Sequence, residues 1–78
     1  SCGIYHPDAP KIFISYNAYL KWYRGCKGFH KGNPWVGVMI YKSFLGKGKT
    51  SAINTLTRML EANGFNVMVA YGRAEKAL

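Results

Sequence analysis

The sequence predicts an α/β fold: a βαβ unit with parallel strands over residues 35–71, preceded by a short aromatic helix. Three observations carry this reading. Val36, Gly37, Val38, Met39, Ile40 and Tyr41 form an apolar run without clean alternation, as a strand covered on both faces would. The turn Gly46-Lys47-Gly48-Lys49 is followed by Ile53, Leu56 and Leu60 at spacings of three and four, the mark of an amphipathic helix. Beyond Asn63-Gly64, residues 65–70 supply a second apolar run. Two strands joined by a helical crossover are parallel, and the crossover is right-handed.

Taken in order, residues 1–10 read as an irregular lead-in, because Pro7 and Pro10 restrict the backbone around Asp8-Ala9. Residues 11–15 are either a short strand or the approach to a helix. From Tyr16, the residues Tyr19, Leu20 and Tyr23 recur at helical spacing, with Lys21 and Arg24 on the remaining surface, and Gly25 ends the segment. Glycine and proline break residues 26–34 into a loop. In the βαβ unit, Thr50 or Ser51 can cap the helix through a side-chain oxygen. Gly64 stops it, since glycine accepts the left-handed conformation common at helix ends. Residues 72–78 look like a turn into a further helix. The expected division is a lead-in, helix and loop at 1–34 and the βαβ unit at 35–71, all within 1–78.

A two-stranded parallel unit leaves faces and edges uncovered, so the chain is expected to be a fragment of a larger open-sheet domain. With 49% hydrophobic residues and six tyrosines, four phenylalanines and two tryptophans, it is no disordered tail. Eleven basic against three acidic residues give a formal charge of +8, which suits nucleic acid, anionic lipid or an acidic partner. In a fragment, the same excess is also what neutralisation elsewhere in a parent chain would leave. No stretch approaches the ~20 apolar residues of a membrane span, and no signal peptide is visible. Two cysteines make no disulfide framework, and a reduced cytoplasmic setting is expected.

Gly48-Lys49-Thr50 supplies the second half of a phosphate-binding loop between strand and helix. However, Ser43 stands where that motif needs its first glycine, and no strand ending in aspartate follows. The pairs Cys2/His6 and Cys26/His30 offer four zinc-type ligands, but not at the spacing of common zinc modules. Tyr16, Tyr19, Trp22, Tyr23 and Trp35 beside Lys21, Arg24 and Lys27 either stack on single-stranded nucleic acid or form a core. The acidic residues are Asp8, Glu61 and Glu75 alone, with Glu61 expected on a solvated helix surface. No paired-carboxylate or serine–histidine–acid arrangement can be built from them.

Four segments resemble one family. Gly3-Ile4-Tyr5-His6-Pro7-Asp8-Ala9-Pro10 is similar to the G-I-Y-H-P-x-A-P segment shared by the large subunit of cobaltochelatase and the related large subunit of magnesium chelatase. Tyr19-Leu20-Lys21-Trp22-Tyr23 resembles the Y-L-x-W-Y that follows it there. Trp35-Val36-Gly37-Val38 with Tyr41-Lys42-Ser43 resembles the family strand that ends in Arg-Ser-His. The segment from Leu60 through Glu61-Ala62-Asn63-Gly64 to Val67 resembles L-E-A-x-G-x-x-V. Along this pattern Gly48-Lys49-Thr50 falls where the cobalt type commonly has Gly-Asp-Thr, which favours an ordinary crossover turn over a phosphate loop. Phe44 replaces the triplet histidine. Lys42 replaces its arginine, keeping charge but losing the bidentate fork.

The resemblance implies a piece of a large, cytoplasmic, tetrapyrrole-binding ligase subunit. Such a subunit holds a corrinoid precursor for cobalt insertion in cobalamin biosynthesis, or a porphyrin for magnesium insertion. The Gly-x-Thr turn and the W-V-G-V strand favour cobalt. ATP is hydrolysed on separate AAA+ partner subunits, so this piece binds no cofactor itself, and Co2+ or Mg2+ is the ion inserted. The expected substrate-binding residues are Lys42 and Ser43, at the strand end where open α/β sheets bind ligands, and His6; no catalytic residue is assigned. Two alternatives remain: a small phosphate- or nucleotide-binding βαβ protein using the GKGKT turn, and a basic nucleic-acid-binding module.

Overall fold

The computed structural model describes residues 2–41, 43, 48 and 50–72. Among these, the elements are β1 (Gly3–Tyr5), α1 (Tyr16–Tyr23), β2 (Trp35–Tyr41), α2 (Thr50–Ala62) and β3 (Asn66–Gly72). The strands form one mixed sheet in the order β1-β3-β2. β2 runs parallel to β3, from Trp35 opposite Asn66 to Tyr41 opposite Gly72, as the βαβ pattern requires. The α/β fold class read from the sequence is the one observed.

The lead-in is not irregular. Gly3–Tyr5 pairs antiparallel with β3, Tyr5 lying opposite Val69, and Ile4 also exchanges two backbone hydrogen bonds with Phe13. Pro7 confines its effect to the turn after the strand, and residues 3–13 double back along the edge of β3. A three-residue strand shows no periodicity. Its state is set by the open side of β3, far away in the chain at Val69 to Tyr71.

β3 divides the interior into two clusters, because successive side chains point to opposite faces. Val67 and Val69 meet Ile53 of α2, with Tyr5, Val38, Ile40 and Leu60 around them. Met68 faces the other way, toward Ile4, Phe13, Tyr19 and Tyr23, with Trp22, Cys26 and Phe29 alongside. The inward stripe of α2 is buried Ile53 and Thr57 with half-buried Leu60, at i, i+4 and i+7, while Leu56 is exposed. Helix-period counting puts Leu56 inward; the contact with β3 falls one residue further round. Thr50 and Ser51 both lie already within α2, a boundary one residue earlier than the capping argument places it.

α1 forms where expected. Ser15 caps it by accepting from the Ala18 N–H at 3.3 Å, and the turn beyond Tyr23 closes through the Gly25 N–H on the Trp22 carbonyl. On β2 the expectation of two covered faces fails. Trp35, Met39 and Tyr41 are 43%, 73% and 62% exposed, and they alternate with half-buried Val36, Val38 and Ile40. The α1 aromatics pack against Ile4 of β1 and Met68 of β3, and on β2 Trp35 lies 5.6 Å from Tyr23 of α1 and 6.5 Å from Phe29 of the following loop, between ring centroids.

Candidate functional site

Two ends of the sheet compete for the role. At the N-terminal end of β3, α2 stops in a glycine turn. The Gly64 N–H bonds the Glu61 carbonyl and the Phe65 N–H bonds the Leu60 carbonyl, with Gly64 at φ 88°. That stop fixes the last turn of α2 and aims Glu61 inward. Its Oε2 accepts from the Tyr23 hydroxyl at 2.6 Å and from His6 Nε2 at 2.9 Å. His6 Nδ1 accepts from the Asp8 N–H at 3.1 Å, so the proton of the neutral ring is on Nε2, facing the carboxylate.

His6 is 2% exposed and the Glu61 side chain 10%. The His6 ring also stands edge-on to Trp22 at 5.1 Å. A Cβ on Gly28 would collide with the Glu61 carboxyl group, so only glycine lets that loop close over it. Contrary to the expectation of a solvated surface group, Glu61 is the hub of a buried Tyr–Glu–His cluster.

The surrounding loop is tied to the same junction. His30 Nε2 donates to the Glu61 carbonyl at 3.0 Å, and Asn33 Nδ2 donates to the Gly64 carbonyl at 2.8 Å. Buried Asn66 accepts from the His30 N–H at 2.7 Å and donates to the His30 and Asn33 carbonyls. One turn earlier on α2, Arg58 forks onto exposed Asp8 through both terminal nitrogens, which holds the Asp8 carboxyl below the usual range. His6 and Asp8 therefore clamp the lead-in to two positions of α2.

Tyr19 and Tyr23 serve a related purpose. β1 ends opposite Val69, leaving the backbone of Val67 without a strand partner on that side. The Tyr19 hydroxyl donates to the Val67 carbonyl at 2.7 Å and the Tyr23 hydroxyl accepts from the Val67 N–H at 3.0 Å. The two rings stack at 5.2 Å, one helical turn apart. Burial pushes both phenols up in pKa; the Tyr23 carboxylate partner, Glu61, adds to this. Neither ring is available to stack on a nucleic-acid base, because both are fully buried. Stacking by these two tyrosines is thereby excluded.

The cysteine–histidine pairs do not converge. Both histidines turn Nε2 toward Glu61, one to its carboxylate and one to its carbonyl. Cys26 instead points its thiol at the Trp22 carbonyl, 3.7 Å away. Burial raises the Cys26 pKa. Among the described residues no group of three or more histidine, cysteine or acidic side chains could hold a metal ion.

The other end is the C-terminal end of β2. Tyr41 lies opposite Gly72, exposed Ser43 follows two residues later, and α2 starts at Thr50 after Gly48, whose φ is 69°. Lys42 and Phe44 lie outside the described residues. His6 does not join Ser43. β1 leaves the sheet at the level of Val69 and β2 at the level of Gly72, about 10 Å further along, and the two chains diverge from there. The expected site residues thus fall at opposite ends, one in a closed cluster and one on an open surface.

The residues that sequence reasoning misses are Glu61 and Tyr23. A signal for Glu61 exists: it stands four and eight positions after Thr57 and Ile53, on the buried stripe. Among the described residues no helix is long and apolar enough to cross a membrane. No curated protein matches the chain. A family model described as CobN/Magnesium Chelatase matches residues 1–77. With nearly every residue inside that match, from the histidine clamp of the lead-in to the end of the sheet, the chain belongs to the CobN/Magnesium Chelatase family.

Proposed function

We propose that this chain helps to hold the macrocycle in an ATP-dependent metal chelatase, with the ligand at the C-terminal end of β2. The observation that carries the reading is the family match over residues 1–77. Its physical support is the position of Ser43, exposed beyond the strand end and ahead of the first turn of α2. Ligands of open α/β sheets collect at such ends, and the start of a helix favours anions. Lys42, next in sequence to Tyr41, supplies a cation for a tetrapyrrole carboxylate, and Ser43 supplies a hydroxyl donor. His6 keeps the lead-in and α2 in register from the opposite end. The metal is cargo, cobalt for a corrinoid precursor being preferred over magnesium for a porphyrin. ATP hydrolysis falls to AAA+ partner subunits in the cytoplasm.

Titration of the protein with a hydrogenobyrinic-type corrinoid and, separately, with a porphyrin tests this. Saturable tryptophan quenching by one of them is expected, the corrinoid binding more tightly. Absence of quenching by both refutes the proposal.

A further inference from the structure

Three side chains of the lead-in bond to α2, and each reaches a different turn. The Tyr5 hydroxyl donates to Asn54 Oδ1 at 2.8 Å, Asp8 accepts the Arg58 fork, and His6 Nε2 donates to Glu61. Positions 54, 58 and 61 follow at i, i+4 and i+7, so the three lie on one face of the helix. That polar face is displaced by one residue from the inward stripe of Ile53, Thr57 and Leu60.

The three rungs are not equivalent. A helix rises about 1.5 Å per residue, so Asn54 stands about 6 Å along the axis from Thr50, where α2 starts, against about 12 Å for Arg58 and about 16 Å for Glu61. Of the three, Tyr5–Asn54 is the rung at the end of the helix that faces the end of β2. Ile53, next to Asn54, packs on Val67 and Val69 and sets the height of this end above the sheet. Apolar contact has no preferred direction, whereas a hydrogen bond has one. The Tyr5–Asn54 bond therefore fixes the rotation of the first two turns, and with it where Thr50 and Ser51 point. Tyr5 is itself held, paired opposite Val69 and packed by its ring against the same cluster.

On the reading that the macrocycle binds at the C-terminal end of β2, we infer that Tyr5 and Asn54 are positioning residues for it. Their hydrogen bond holds the first two turns of α2 at the angle at which the start of the helix meets a tetrapyrrole carboxylate. The lead-in thereby tunes affinity through α2, with no need to touch the ligand, and Tyr5 does so at one end of the helix while His6 secures the other.

The test is titration with a hydrogenobyrinic-type corrinoid, followed by the macrocycle's absorbance, together with amide exchange of the ligand-free protein. Tyr5→Phe keeps the packed ring and removes only the hydroxyl. It should raise Kd about fivefold, within the roughly tenfold that one hydrogen bond can carry. Exchange of the amides at residues 54–56 should quicken by a similar factor, while that at Glu61 and Ala62 stays unchanged. Asn54→Leu should raise Kd as much, and the double variant no further, because both act through one bond. His6→Gln breaks the far rung and should lower the urea midpoint more than Tyr5→Phe does, yet leave Kd unchanged. An unaltered Kd in Tyr5→Phe overturns the inference while macrocycle binding by the unsubstituted protein stands. So does an equal weakening in His6→Gln, which would trace the effect to lost stability, or an additive effect in the double variant. No binding by the unsubstituted protein refutes the macrocycle reading and the positioning role with it.

Discussion

Replacing Glu61 by alanine removes one acceptor atom that two buried donors share. His6 Nε2 at 2.9 Å and the Tyr23 hydroxyl at 2.6 Å would both lose their partner inside a closed cluster. Stranding a buried donor costs about 1–3 kcal/mol, and Glu61→Ala strands two, both on neutral side chains. A loss of about 2–6 kcal/mol follows. That is a large part of the roughly 4–12 kcal/mol that a domain of this length holds. With a urea slope of about 1 kcal/mol/M, the midpoint should fall by about 2 M or more, or the chain should be unfolded outright. Glu61→Gln keeps an acceptor oxygen and should lose only about 1–2 kcal/mol. Trp22, in contact with His6, supplies the fluorescence readout. A fall of less than about 0.5 kcal/mol for Glu61→Ala, with an unchanged slope, would mean that Glu61 is a solvated surface group and that the cluster contributes nothing.

Thr57 buries a hydroxyl that has no hydrogen-bond partner among the described residues, so Thr57→Val should stabilise by up to about 1 kcal/mol in urea unfolding. Gly28→Ala drives a methyl group into the Glu61 carboxylate and should destabilise by about 1–3 kcal/mol; the loss should shrink in a Glu61→Ala background if that collision is its cause. Burial holds the Tyr19 and Tyr23 phenols above their ordinary value of 10.0. Their contribution is complete below that pH and is lost as pH rises through the folded values, so stability should fall in alkali. Near-ultraviolet tyrosinate absorbance should show these two tyrosines ionising only together with unfolding.

The helices and the parallel pair are legible in the sequence because each announces itself within a short window. Tyr19, Leu20 and Tyr23 mark α1 by spacing, and Asn63-Gly64 marks the stop of α2 by backbone conformation. β1 is not legible: Gly-Ile-Tyr becomes a strand only because β3 has a free side at Val69 through Tyr71. Glu61 misleads for a different reason. Charge alone suggests solvent, whereas its position on the Ile53–Thr57 stripe carries it inside, where a histidine and a tyrosine from two other segments meet it. His6 stands out in the sequence, but chemistry along the chain cannot say at which end of a sheet a residue emerges. Lys42 and Ser43 follow from a rule of topology, and Ser43 stands at the expected strand end.

The macrocycle is proposed to bind at the C-terminal end of β2 and not at the histidine cluster. The most direct test is the Kd of a carboxylated corrinoid, read from the macrocycle's own absorbance shift, for the protein and two variants. Lys42→Ala should weaken binding by about tenfold, as the loss of one charge-assisted contact would. His6→Gln should leave the Kd unchanged while lowering the urea midpoint. The opposite pattern, with binding lost in His6→Gln and intact in Lys42→Ala, would contradict the account.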